Sequence, residues 1–236
     1  MFPVLALLAE PDVDLLSQAA RAGLDGMPGC HELQAEVTRT AWIGLIRDVE
    51  IYSLKGRLVE GAWEQLSYEV LDHGAEGVQL ELDLGGQDYP FVPPMLGRLP
   101  EGSDGGPLAG SVLDEVVVAL SGDVETAWVS LGEIDGAEAY VLERTIAVDQ
   151  ARNRDLLLHV WVEQGQRRAR RWQASLPRGI PLSDSGGRLK RVLVVLDVDA
   201  QGLPASESLS GTLRAGPIAL RVRQEMDYQV VGACGD

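Results

Sequence analysis

The chain has 236 residues, of which 45% are hydrophobic and 24% are charged. These values are ordinary for a folded globular protein and exclude disorder of the whole chain. Lys and Arg number 20 against 36 Asp and Glu, so the formal net charge is −16. An acidic surface repels phosphate backbones and anionic headgroups, so we expect neither a nucleic-acid partner nor membrane insertion.

The chain begins with a short apolar stretch and contains only two cysteines, Cys30 and Cys234. Residues 2–8 are too few to span a bilayer and lack the basic region of a secretion signal. Two distant cysteines do not make the disulfide framework of a small secreted module. We therefore expect a cytoplasmic protein in which both cysteines are reduced.

One helix is predicted, over residues 12–24. Apolar residues recur there at helical spacing, and Asp12 is suited to cap the first turn. Gly26 and Pro28 follow and are typical of a helix end. Residues 29–34 are predicted to form a loop.

From Glu36 onward the hydrophobic pattern repeats every second residue, as it does in strands with one buried face. The first predicted strands are residues 37–45, 49–59, 66–71 and 78–84. The second predicted series is residues 116–120, 127–131, 139–148, 156–162, 170–176, 192–198 and 218–222. Many short strands separated by turn-like segments favour a β-sandwich or a barrel.

A proline- and glycine-rich stretch, residues 89–112, separates the two series. Proline cannot donate to a strand ladder, so this stretch is predicted to be a linker, with an ordered loop as the alternative. We expect a mainly β protein with two β-sandwich-like units. The predicted divisions are a helical segment (1–35), a first β unit (36–88), the linker or loop (89–112) and a second β unit (113–236).

A short sequence echo raises the question of an internal duplication. Residues 40–45 (TAWIGL) return as residues 126–131 (TAWVSL). A duplicated unit and a shared strand pattern are both open explanations. In either case Trp42 and Trp128 are expected to anchor equivalent cores, so the echo is interpreted as scaffold.

No complete catalytic or metal-binding signature is present. Cys30 and His31 lack the paired spacing of a zinc site, so Cys30 is expected to be a free loop cysteine. Asp197 and Asp199 share a strand face and offer carboxylates to a divalent ion, although stabilisation of a turn is favoured. His159 lies within an apparent strand, where a cross-strand or surface role is expected.

The glycine-rich stretches do not open a helix and are not followed by Lys-Ser or Lys-Thr, so phosphate binding is unsupported. No metal or other cofactor is expected. Whether the chain is an enzyme is left open, with a non-enzyme favoured. The enzyme alternative is a metal-dependent site built from carboxylates.

One segment carries charge opposite to the rest of the chain. Four arginines and a tryptophan lie close together in sequence, and these residue types are enriched in binding hot spots. An acidic partner is one interpretation of this interaction patch, and pairing with the chain's own carboxylates is the other. The patch consists of Arg167, Arg168, Arg170, Arg171 and Trp172.

Residues 123–210 resemble the β-sandwich substrate-binding domain of Hsp70 chaperones. The matching segments are Val129 to Gly132, His159-Val160 with Gly165 to Arg167, and Val195 to Leu203. The resemblance implies a groove for an extended peptide. The nucleotide-binding domain and the helical lid of those chaperones have no counterpart here, so the groove would act as a passive binder.

The sequence therefore predicts a non-enzymatic protein-interaction module or a structural subunit of a larger assembly. Its expected partner is another protein, either a second copy of this chain or a different one. The metal-dependent enzyme and the passive peptide binder remain the alternatives.

Overall fold

The structure is a computed structural model, and it describes residues 18–19, 29–59, 62–72, 127–149, 154–165, 168–176, 180–181, 188–215 and 218–234. These residues form a mainly β fold with eleven strands in a single sheet. The strands are β1 (Cys30–Ile43), β2 (Ile46–Val59), β3 (Ala62–Asp72), β4 (Ala127–Ile134), β5 (Ala137–Asp149), β6 (Arg154–Glu163), β7 (Arg168–Leu176), β8 (Ile180–Pro181), β9 (Arg188–Val198), β10 (Pro204–Ala215) and β11 (Ile218–Ala233).

The strand order is β3-β2-β1-β11-β10-β9-β7-β6-β5-β4, with the short β8 paired to β9 outside this path. Every pairing is antiparallel. Within the described residues, β3 and β4 are therefore the two edges of the sheet. Strand β11 pairs with β1 from Ile43 to His31, which places the last strand beside the first.

The predicted pair of β-sandwich-like units is wrong. The β1–β11 pairing joins the first and second strand series into one open sheet, so they do not form two separate sandwiches. A hydrophobic pattern that repeats every second residue indicates a strand with one buried face, but it does not indicate which strand lies beside it. The predicted division at residue 35 falls inside β1, whereas those at residues 88 and 112 lie outside the described residues, so the division into domains stays a prediction.

Tight turns connect neighbouring strands where the sequence supplies residues that tolerate positive φ. The β4–β5 turn consists of Asp135 and Gly136, with φ of 50° and 79°. An Asp-Gly pair with both φ values positive is the turn that matches the twist of a two-residue hairpin. The β1–β2 turn contains Gly44, with φ of 61°, followed by Leu45.

One face of the sheet, here called the buried face, carries the apolar core. In β2, the side chains of Tyr52, Leu54 and Leu58 are buried, and the residues between them are more exposed. The same alternation in the other strands produces a continuous hydrophobic cluster. Its largest fully buried members are Trp172, Leu33, Leu54, Leu58, Leu142, Leu158 and Leu196.

A disulfide joins Cys30 at the start of β1 to Cys234 just after β11, with the Cα atoms 5.3 Å apart. The expectation of reduced cysteines in a cytoplasmic protein is therefore wrong. The sequence separation of 204 residues hid the pairing, because only the β1–β11 register brings the two residues together. Disulfides are rare in cytosolic proteins and persist in oxidising compartments.

Several other predictions from the sequence are wrong or fall largely outside the described residues. The helix predicted over residues 12–24 is not supported, because only Gln18 and Ala19 of it are described; these two have helical backbone, and Ala19 packs against the core. Residues 30–34, predicted as loop, belong to β1 instead. The predicted strands 78–84 and 116–120 and the linker 89–112 lie outside the described residues. No helix in the described part of the chain is long and apolar enough to cross a membrane.

The echoed segments do not occupy equivalent positions in the sheet, and the duplication is not supported. Trp42 lies at the end of β1, beside the turn, whereas Trp128 lies at the start of β4. Trp42 is half-buried and does not belong to the core cluster. A shared strand pattern therefore accounts for the echo.

Candidate functional site

The buried face of the sheet carries apolar side chains out to both of its edges. At the β3 edge, Tyr68 lies opposite Leu54 on this face and is 48% exposed. At the β4 edge, Leu131 lies opposite Tyr140 on the same face and is 64% exposed. The apolar surface therefore extends from the covered core to solvent-exposed positions at both ends of the sheet.

A polar group of four residues, here called the β1–β2 polar cluster, interrupts this face near the β1–β2 turn. It consists of Arg39, Asp48, Glu50 and Tyr52, which alternation and register place on the side of the sheet that carries Leu54. Arg39 forms an ion pair with Glu50, with Nη1 and Oε2 3.5 Å apart. The Tyr52 hydroxyl donates to the same Glu50 oxygen at 2.8 Å. Burial and the adjacent Glu50 carboxylate raise the pKa of Tyr52.

Asp48 differs from the other members of the cluster. It lies opposite Ala41 and is 7% exposed, and among the described residues its Oδ1 atom has no hydrogen-bond donor. A buried carboxylate oxygen without a donor is costly, because it has left water and gained no replacement. The cluster therefore contains one buried acceptor that the described residues do not satisfy.

A second polar pair lies deeper in the buried face. The hydroxyl of Tyr228 in β11 donates to the Glu207 carboxylate in β10 at 3.0 Å, and Glu207 is 1% exposed. Burial and the Glu207 carboxylate raise the pKa of Tyr228 well above its usual value. Trp63 of β3 meets the Tyr228 ring edge-on, with centroids 5.8 Å apart. This pair is held by its own contacts, and Glu207 makes a further interaction, so the pair is part of the packed core.

The opposite, outer face carries cross-strand polar contacts. Arg171 and Asp197 face each other across β7 and β9 and form two hydrogen bonds, one of them 3.0 Å from Nη2 to Oδ2. The Asp197 carboxylate raises the pKa of Arg171. His159 lies 3.0 Å from Glu143 across β5 and β6, which confirms its predicted cross-strand role.

The structure separates the residues of the predicted interaction patch. Trp172 is completely buried in the core and is not part of any surface. Arg168 donates to the Ala200 carbonyl at 2.6 Å, and Arg170 donates to the Val198 carbonyl at 3.0 Å and to Glu163 at 3.1 Å. Arg171 is held by Asp197, and Arg167 lies outside the described residues. The described arginines thus have partners within the chain, and binding of an acidic partner stays a prediction.

The carboxylates considered as metal ligands have structural roles. Asp199 Oδ1 accepts hydrogen bonds from the backbone amides of Gln201 and Leu203 at 2.8 and 2.9 Å, which confirms the predicted turn stabilisation. Asp197 is engaged by Arg171. In the part of the chain that the structure describes, no three His, Cys, Asp or Glu residues are grouped so as to hold a metal ion.

The β1–β2 polar cluster was not predicted from the sequence. The available signal was phase: Asp48 and Glu50 occupy the same alternating positions as Tyr52, Leu54 and Leu58, which face the core. Charged residues in the apolar phase of a strand are unusual, because such residues are seldom buried without a partner. Because the chain has 36 Asp and Glu residues, these two carboxylates did not stand out from the others in the sequence.

Comparison with known proteins identifies no family from sequence, since neither a family description nor a curated relative matches the chain. Among solved structures, the chain is similar to a LolA superfamily protein from Nitrosomonas europaea (15% identity, 96% of this chain and 94% of that chain covered, TM-score 0.35). It is also similar to a domain provisionally assigned as an outer membrane lipoprotein-sorting protein from Vibrio parahaemolyticus (11% identity, 95% and 94% covered, TM-score 0.37). A DUF1329 family protein from Desulfovibrio piger is a third (11% identity, 92% and 89% covered, TM-score 0.29). At these scores the likeness is loose.

The predicted resemblance to the Hsp70 substrate-binding domain is wrong. The three solved structures named above are a LolA superfamily protein, a lipoprotein-sorting protein domain and a DUF1329 family protein, and none of the three is an Hsp70 domain. The run from Val195 to Leu203 is the end of β9 and the Asp199-stabilised turn into β10, a local pattern that does not specify a sandwich. The expected cytoplasmic location is wrong as well, because the Cys30–Cys234 disulfide contradicts it.

Proposed function

We propose that the protein is a non-enzymatic carrier that binds an apolar or amphipathic ligand of the acyl-chain class on the buried face of its sheet. The observation that carries this proposal is the apolar face itself, which runs from edge to edge and remains exposed at Tyr68 and Leu131. Exposed apolar surface continuous with a core is typical of a ligand-binding surface. Apolar sites with a few placed polar groups are the usual form of small-molecule sites.

We also propose that the carrier works outside the cytoplasm, in a periplasm-like oxidising compartment. The Cys30–Cys234 disulfide supports this location. A lipid-modified protein and a free lipid are two sources of an acyl chain, and both present the same chemistry to the sheet. The experiment below therefore includes both a free amphiphile and an acylated peptide, so that the two sources can be distinguished.

The test is saturable binding of the uncharged fluorescent probe 1-N-phenylnaphthylamine, displaced by dodecanol and by a synthetic acylated peptide. Leu131→Glu places a charge on the exposed end of the buried face and should weaken probe binding about tenfold, a loss of roughly 1.4 kcal/mol. Ser130→Glu is the matched control, because its neighbouring position in β4 points to the opposite face and is exposed. The control should bind the probe like the wild type.

Displacement by both dodecanol and the peptide would assign the site to the acyl chain, whichever molecule carries it. Displacement by the peptide alone would assign it to lipid-modified protein. Absence of saturable probe binding, or equal effects of Leu131→Glu and Ser130→Glu, would contradict the proposal.

Edge strand β3 favours a second candidate, the protein-interaction module expected from the sequence. Its outer edge is unpaired within the described residues, and Leu66, Tyr68 and Leu71 are about half exposed along it. An unpaired, apolar edge is suited to accept a strand from another protein or from a second copy of the chain. Light scattering with Leu71→Lys tests whether a second copy binds. If two copies associate through their β3 edges, a lysine on this edge should dissociate the oligomer to monomers.

A further inference from the structure

We propose that the β1–β2 polar cluster binds the polar end of the ligand, and that this end is a cationic group such as an ammonium. The inference rests on the proposed function and specifies its substrate class. It assigns a chemical preference to one end of the buried face. The acyl chain would lie on the apolar part of the same face.

The first argument is the position of Asp48. Its side chain is on the buried face, with Ala41 opposite and Tyr52 four residues further along β2. It is more than nine-tenths buried, and Oδ1 accepts no hydrogen bond from the part of the chain that the structure describes. A carboxylate in such a place needs a donor, and a ligand that reaches the face can provide it.

The second argument is the charge of the cluster. The Arg39 guanidinium and the Glu50 carboxylate compensate each other through their ion pair, and Tyr52 donates its hydroxyl to Glu50. The cluster contains one cationic side chain, Arg39, and two carboxylates, Asp48 and Glu50, so its four residues together carry one net negative charge. A single cation complements it, whereas a carboxylate or phosphate end would meet repulsion.

The third argument is the apolar surface that begins at the cluster. Leu54 lies on the same face of β2, six residues beyond Asp48, and Tyr68, opposite it in β3, is 48% exposed. Six residues of an extended strand span about 20 Å. An amphiphile anchored at Asp48 would therefore lay its chain towards the apolar part of the sheet.

The test measures displacement of 1-N-phenylnaphthylamine by dodecylammonium, dodecyl sulfate and dodecanol at sub-micellar concentrations. The wild type should bind dodecylammonium at least about tenfold more tightly than dodecyl sulfate, in keeping with a charge-assisted hydrogen bond. Asp48→Asn should lose about tenfold in dodecylammonium affinity and retain its affinity for dodecanol and the probe. Glu36→Gln removes the same charge from an exposed outer-face position of β1 and should bind all three compounds like the wild type.

Thermal unfolding without ligand separates a binding role from a structural one. If Asp48 serves a ligand, Asp48→Asn should keep or raise the melting temperature, because it removes a buried charge that has an unsatisfied oxygen. A clear drop in melting temperature would assign Asp48 to the scaffold and overturn the inference. Equal affinity of the wild type for ammonium and sulfate amphiphiles would also overturn it, while continued probe binding would leave the carrier function intact. Failure of the probe to bind would instead remove the carrier function itself.

Discussion

Gly56 is the point at which the side chain of Trp63 crosses β2. A Cβ atom added at Gly56 would lie 2.4 Å from the Trp63 ring. The indole therefore rests directly on the Gly56 backbone and reaches Tyr228 of β11, three strands away from β3. Tyr228 in turn holds the buried Glu207 carboxylate. Because Gly56 has no side chain, Trp63 can cross it and make an aromatic contact that spans four neighbouring strands of the buried face.

Gly56→Ala should destabilise the protein. The new methyl group overlaps the ring of a residue that is 6% exposed, so Trp63 must leave its position or the strands must separate. Overpacking of this kind costs roughly 1 to 3 kcal/mol of unfolding free energy. Urea unfolding measures the change. Gly165→Ala is the control, since nothing lies within 4 Å of its added Cβ and its expected effect is below about 0.5 kcal/mol. Equal stability of the two variants would show that the indole does not rest on Gly56.

At the scale of elements, local sequence pattern located the strands that have strong β formers. Strands β2, β5, β6 and β9 lie close to their predicted ranges, because valine, isoleucine, leucine and aromatic residues alternate in them. Strand β10 (Pro204–Ala215) was missed, since serines, a glycine and a proline give it little intrinsic preference for a strand. It is a strand because β9 and β11 pair with its two edges.

The candidate site was less predictable than the strands. The alternation in β2 predicts that Asp48 faces the core, but not that its neighbour in β1 is Ala41, which offers no donor. Likewise the arginine-rich segment predicts a need for carboxylates, but not that Asp197 lies opposite Arg171. Both facts depend on register between strands, and register is set by the whole sheet.

The Arg171–Asp197 pair tests whether the arginine segment serves the sheet. The two side chains are 34% and 26% exposed, and they form two hydrogen bonds between β7 and β9. Asp197→Asn should lower the unfolding free energy by about 1 kcal/mol, a value reduced for solvent screening. The matched control is Glu225→Gln, because its pair with Arg223 is more exposed, at 43% and 55%, and should matter by less than about 0.5 kcal/mol. If Asp197→Asn leaves urea unfolding unchanged, the pair does not stabilise the sheet, and an intermolecular role for Arg171 gains weight.

At the scale of the whole molecule, the sheet is completed by the pairing of its first and last strands, β1 and β11. Strands β1 and β11 pair over nearly their full length. This pairing joins the strands β1–β3, from the first part of the sequence, to the strands β4–β11, from the second part. The Cys234 amide donates to the Cys30 carbonyl at 3.0 Å, beside the disulfide between the same residues. Contacts between such distant segments cost the most chain entropy to form, so a covalent link here has a large effect on the unfolded state.

Removal of the disulfide should therefore lower stability substantially without changing the strand order. The link closes a loop with a sequence separation of 204 residues, and its loss should cost about 3 kcal/mol of unfolding free energy. The measurement is urea unfolding of the double variant Cys30→Ser/Cys234→Ser against the oxidised wild type. Reductant should bring the wild type to the stability of the variant and should leave the variant unchanged. If protein purified from an oxidising compartment shows two reactive thiols after unfolding without reductant, the pairing is absent, and with it the main support for a location outside the cytoplasm.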